Sequence, residues 1–187
     1  MFYPHGLFSL RRFGAIAAFT LLEVLVTVTI VVALCAIALR STHGAGQASR
    51  AARARAELAV LAVALEEYRR VCGDYPRTND PARFLQSLIG RRGPRDEVTE
   101  LRSFIELSRF KFDRLVEPFS DATVTVVDPW GQPYRYIYKT QTPWDNSSYL
   151  LFSVGNDGRD SANLLAGGFA DSAPAENADN LYANSTR

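Results

Sequence analysis

FTLLEVLVTVTIVVALCAIAL, residues 19–39, is the stretch that decides how this chain is read. As a helix of about 21 residues rising about 1.5 Å each, it covers roughly 30 Å, the thickness of a bilayer's hydrocarbon core. The run holds one charge, Glu23, near its start. A carboxylate in lipid costs on the order of a few kcal/mol, so Glu23 asks for a partner or a purpose. Arg11 and Arg12 precede the run and Arg40 follows it. A short basic leader, then a spanning helix with an acid in its first turn, reads as an anchor with a task.

Two simpler readings account for part of the pattern. Residues 1–18 have the charge of an ordinary secretory signal, with small residues at Ala15 to Ala18. The long apolar run, however, lies on the wrong side of that cut. A plain signal anchor with its positive residues inside is the other reading, and it has no use for Glu23.

The octapeptide Phe19-Thr-Leu-Leu-Glu-Val-Leu-Val26 resembles the N-terminus of type IV pilins and of the pseudopilins of type II secretion. The resemblance implies that a prepilin peptidase removes residues 1–18 by cutting at Ala18–Phe19. Phe19 then becomes a methylated N-terminus and Glu23 the fifth residue of the mature chain. The family usually carries Gly before the cut, where this chain has Ala18. Gly14 does not fill the role, because cutting there would leave Glu23 ninth.

Beyond the anchor, residues 40–187 are enough for one domain with a modest core. Net charge is +1, and losing Arg11 and Arg12 takes it to −1. No basic field points to nucleic acid. Cys35 lies in the apolar run and Cys72 far beyond it, so neither a mutual disulfide nor a metal-type spacing is expected. His5 is in the leader and His43 just past the anchor, which leaves the following domain without a histidine base. Phosphate-loop, zinc-protease and serine-hydrolase motifs are missing too, so no enzyme is expected.

Gly44 and Gly46 each cost a helix roughly 1 kcal/mol, and a kink or local melting is expected there. Helical signal resumes at Ala48, with Leu58, Leu61, Leu65, Tyr68 and Cys72 on one face. Arg50, Arg53 and Arg55 read as a solvated face rather than an anion site. Gly73 ends the helix. Asp80 followed by Pro81 is a helix start, and Phe84, Leu85, Leu88 and Ile89 give that short helix its apolar face before Gly90. Residues 104–119 mix aromatics with charges and suit either a strand pair or a helix. From Ala122 the pattern turns to strands, at 123–127, 134–138 and 149–154, with Asp128-Pro129-Trp130-Gly131 as a tight turn holding a buried Trp. Short loops between these strands imply antiparallel pairing.

Tyr68, Gly73, Tyr75 and Pro76, and the phrase DPWGQPYRY at 128–136, also resemble the major pseudopilin of type II secretion. The implied fold is α+β and type IV pilin-like: a long N-terminal helix, its first half (19–39) transmembrane, packed on a small antiparallel sheet with a C-terminal loop. In that family a Ser-x-Gly-x-Asp-Gly segment and a later acidic stretch fold around calcium. Here Ser153 to Gly158 supplies the first, with Asp157, and Asp179 matches the second; Asp160, Asn177 and Asn180 are further oxygens. Calcium takes six to eight oxygen ligands, which such loops can offer. Without the resemblance the same residues mean a solvated Gly-rich loop.

The implied function is structural: a subunit of the type II secretion pseudopilus. The expected precursor is single-pass in the inner membrane, with residues 40–187 periplasmic. Expected partners are further copies in a homopolymeric filament, the prepilin peptidase, the minor pseudopilins, the inner-membrane secretion platform and the membrane itself, with no nucleic acid. A type IV pilin or minor pilin serving adhesion or DNA uptake is the nearest alternative, and an uncleaved membrane-anchored binding module the next.

Overall fold

The computed structural model describes residues 20–140, 142–146 and 148–183, with the side chains of 37–45 excepted. Helix α1, Leu21–Cys72, is the dominant element. The chain divides into two compact units, Met1–His43 and Gly44–Arg187.

In the first unit every described side chain of residues 20–36 is exposed, Leu21 at 87% and Val32 at 62%. Thr20 stands at the start of the helix, and the Glu23 N–H donates to both its carbonyl and its hydroxyl, at 3.0 and 3.2 Å. Thr27 and Thr29 turn their hydroxyls back onto the carbonyls of Val24 and Leu25, at 2.9 and 2.7 Å, so neither needs water. Among the described residues no helix is long and apolar enough to cross a membrane. The apolar run of 19–39 extends past the described side chains at both ends.

The local melting expected at Gly44 and Gly46 is corrected: α1 stays helical through both. A glycine deficit of about 1 kcal/mol each is small beside the Ala-rich turns that follow and the side-chain contacts from Gln47 onward.

In the second unit α1 buries Ala54, Leu58, Leu61, Ala64, Leu65 and Tyr68, the face its spacing predicts; Cys72 at the end is only half-buried, and both cysteines are free thiols. Arg53 is taken by a carboxylate. Its Nε lies 2.6 Å from Glu57 Oε1, and Glu57, 7% exposed, also accepts the Tyr134 hydroxyl at 2.7 Å. Burial first, and then the bond to Glu57, pushes the Tyr134 hydroxyl well above the ordinary phenol range. Helix α2, Pro81–Leu88, starts where predicted: Asp80 Oδ1 accepts the N–H groups of Ala82 and Arg83 at 2.8 and 3.1 Å. Its apolar face lies in the same core, where Phe84 stacks on Tyr136 with ring centres 4.6 Å apart.

Among the described residues the strands pair antiparallel, and one isolated bridge, Trp144 with Gly167, is parallel. Strands β1 (Lys111–Phe112) and β2 (Val126–Val127) form one ladder, and β3 (Arg135–Ile137), β4 (Leu150–Ser153) and β7 (Leu181–Tyr182) a second in the order β3-β4-β7. A small hairpin, β5 (Leu164–Leu165) with β6 (Phe169–Ala170), lies between β4 and β7 in sequence. The strands are shorter than their patterns because side chains intercept the ladder's ends. Asp121 Oδ1 takes the Thr123 N–H at 2.8 Å, and Asn79 Oδ1 takes that of Tyr138 at 2.8 Å. Residues 104–119 form neither a full helix nor a hairpin of their own, but a 3₁₀ turn at Leu107–Arg109 followed by β1. Their charges interrupt any continuous apolar face.

Candidate functional site

Two regions hold the candidate residues. At the helix N-terminus, Glu23 lies in the first turn of α1, and its carboxylate has no hydrogen bond or ion pair among the described residues. Ala18 and Phe19 lie outside the described residues.

The second region is the C-terminal loop and the turn beside it. Asp128, 1% exposed, organises the turn: Oδ1 accepts the N–H groups of Trp130 and Gln132, both at 2.9 Å. Its Oδ2 accepts the Ser153 hydroxyl at 2.5 Å, and Ser153 Oγ in turn accepts the Gly155 N–H at 3.1 Å. A buried carboxylate with three donors is a stable arrangement, and it fixes β4's exit to the turn before β3. The expected buried Trp is corrected to a half-buried one. The Trp130 indole N–H reaches outward to Gln47 Oε1 on α1, at 2.8 Å.

Asp157 and Asp179 are brought together, though through the main chain. Asp179 Oδ2 accepts the N–H groups of Asn156 and Asp157 at 2.7 and 3.0 Å. Asp157 Oδ1 accepts the Arg159 N–H at 2.8 Å and so closes its own turn. Asn177, 3% exposed, is committed to the loop's interior. Its Oδ1 accepts the Ser161 N–H at 2.9 Å, and its Nδ2 donates to Ser161 Oγ and to the Asp171 carbonyl at 2.9 and 2.6 Å. Asp160 lines a groove with Gly158, Arg159 and Glu176. Asn180 Oδ1 is buried without a hydrogen-bond partner, while its Nδ2 lies 3.4 Å from the Tyr182 hydroxyl.

Among the described residues no three acidic, histidine or cysteine side chains converge as a metal cluster. A hard cation here would therefore rely on few carboxylates and draw its remaining oxygens from amides and main-chain carbonyls, as calcium does readily. The unpartnered Asn180 oxygen next to Asp179 is an acceptor of that kind. Gln47 and the Asp128–Ser153 bond are the site residues that sequence reasoning missed. Gln47 is 83 and 109 residues from its two partners, Trp130 and Asn156, and no local pattern flags such a contact.

Comparison with known proteins places these observations. A family model described as "Type II secretion system (T2SS), protein G" matches residues 42–166. A curated protein, the type II secretion system core protein G of Pseudomonas aeruginosa strain PAO1, is 26% identical over 144 residues, covering 77% of this chain and 86% of that protein. No solved structure matches. The family match ends before Asn177, Asp179 and Asn180.

Proposed function

The chain belongs to the type II secretion system protein G family and is a structural subunit of that system's pseudopilus, and from this premise we propose how it is processed, anchored and stiffened. Its role is architectural, associated with the cell envelope and with other components of the secretion system. The observation that carries the function is the family match across 42–166, which spans most of the second unit.

In this proposal the precursor is single-pass in the inner membrane, with its leader cytoplasmic and residues 40–187 periplasmic. A prepilin peptidase cuts at Ala18–Phe19. Support comes from the register of the motif, which makes Glu23 the fifth mature residue, and from the exposed apolar side chains of Leu21 to Leu34 around it. The mature helices then pack into a periplasmic filament together with minor pseudopilins, on the inner-membrane platform. Intact mass and N-terminal sequencing of the chain co-expressed with a prepilin peptidase test this. A product beginning at N-methylated Phe19 is expected. If both the chain and its Ala18→Gly variant stay full-length beside a cleaved control, the reading gives way to an uncleaved anchor.

Calcium is proposed at the C-terminal loop, held by Asp157 and Asp179, with Asp160 and the Asn180 amide oxygen as further donors. Bound there, a divalent charge would draw the turn after β4 and the turn before β7 together. Asn177 keeps its interior bonds and orders the loop around Ser161 and Asp171. Metal binding to the folded state alone stabilises it by about 2.7 kcal/mol at a hundredfold excess over Kd. Chelation is therefore expected to lower the Tm by roughly 5–10 °C. An unchanged Tm, with no calcium uptake by calorimetric titration, removes the metal from the account.

A further inference from the structure

Gln47 is the side chain through which α1 holds both the Asp128 turn and the C-terminal loop. An indole N–H only donates, so the Gln47 oxygen must face Trp130, and it does so at 2.8 Å. That leaves the Gln47 Nε2 for an acceptor, and it lies 2.7 Å from Asn156 Oδ1. Asn156 passes the connection on, because its own N–H donates to Asp179 Oδ2 at 2.7 Å. Three segments remote in sequence thus meet at one amide that is used in both directions. Gln47 also directly follows Gly46, whose absent side chain would have nothing within 4 Å to pack against. The helix around Gly44 and Gly46 is the part of α1 with the weakest intrinsic preference, about 1 kcal/mol lost at each glycine. Gln47 is the first side chain beyond them with contacts to the rest of the second unit.

We propose that Gln47 is a positioning residue that makes order in the C-terminal loop and order in α1 between Gly44 and Ala51 one cooperative property. Whatever tightens residues 155–157 tightens the helix segment with them, and calcium, on the reading above, is the agent that does so.

Hydrogen–deuterium exchange on the full chain in detergent micelles, with calcium chloride or chelator, tests it. Calcium is expected to slow exchange about three- to tenfold in both 155–160 and 44–51. In Gln47→Ala it should slow the loop alone. Gln47→Glu keeps the acceptor for Trp130 and loses the donor for Asn156, so it should behave like Gln47→Ala in its calcium response. A helix response in Gln47→Ala equal to the unmodified chain's overturns the proposal, as does a loop response in the unmodified chain without a helix response. Should calcium slow neither region in the unmodified chain, the metal reading fails and a metal-free comparison decides the coupling. Asn156 is exposed, so Asn156→Ala leaves the core intact. It should raise exchange across 44–51 severalfold alone and add nothing in a Gln47→Ala background. Additive effects, or none, would leave Gln47 an ordinary surface amide.

Discussion

Glu23→Ala is expected to be cleaved and retained in the membrane yet to form no filaments, with secretion lost. The carboxylate stands in the first turn of α1, among Leu21, Leu22, Val24 and Leu25, all exposed. Its N–H is satisfied by Thr20, but the acid itself has no partner among the described residues. Once out of lipid, side chains this apolar are covered only when helices bundle, and bundling holds Glu23 in surroundings where an unpaired charge is unstable. The proposed partner is the N-terminal amine of Phe19 on a neighbouring subunit, a group that exists only after cleavage. Losing one partner of a buried pair costs about 3–5 kcal/mol. That is a factor of hundreds to thousands in each subunit's addition, enough to stop growth. Glu23→Gln keeps hydrogen-bonding capacity without charge and should assemble poorly rather than not at all. Electron microscopy of sheared filaments, beside N-terminal sequencing of the membrane pool, separates processing from assembly. Normal filaments from Glu23→Ala would sink the pairing role.

The sequence was most legible where the signal is local. Asp80-Pro81 marked the start of α2 because a capping carboxylate and a fixed φ act within one turn. The face Leu58, Leu61, Leu65 and Tyr68 followed from helical spacing, and the pairing of β3 with β4 from two apolar runs. Strand ends were less legible, since Asn79 and Asp121 intercept ladder donors from positions that period-2 patterning does not weigh. The β5–β6 hairpin has no legible pattern, because Leu164-Leu165 and Phe169-Ala170 are too short to show alternation. In the candidate site, Asp157 and Asp179 were found by motif and do meet. How they meet depends on main-chain N–H groups that carry no side-chain signature. Gln47 and Trp130 were beyond reach for the same reason as most tertiary contacts: the contact is fixed by the packed core, and neither residue alone announces it.

Gly155→Ala should be strongly destabilising, and the contrast with Gly131→Ala shows why. Both glycines have positive φ, +71° and +90°, so alanine at either pays about 1–2 kcal/mol for the left-handed backbone. At Gly131 nothing lies within 4 Å of the added carbon, and the cost ends there. At Gly155 the same carbon would meet the Asp179 carbonyl at 2.5 Å and its Oδ2 at 2.7 Å. Backbone cannot move aside cheaply, and moving Asp179 breaks its bonds from Asn156 and Asp157. A loss of roughly 3–4 kcal/mol follows, with a Tm lowered by roughly 10 °C, against a few degrees for Gly131→Ala. The two should also differ in kind. Gly155→Ala displaces the Asp157–Asp179 arrangement and should abolish the calcium-dependent rise in Tm, whereas Gly131→Ala should keep it. Thermal melts of both variants with and without chelator make the comparison. Equal losses would mean that backbone conformation alone sets the cost and that the seat of Asp179 against Gly155 contributes nothing.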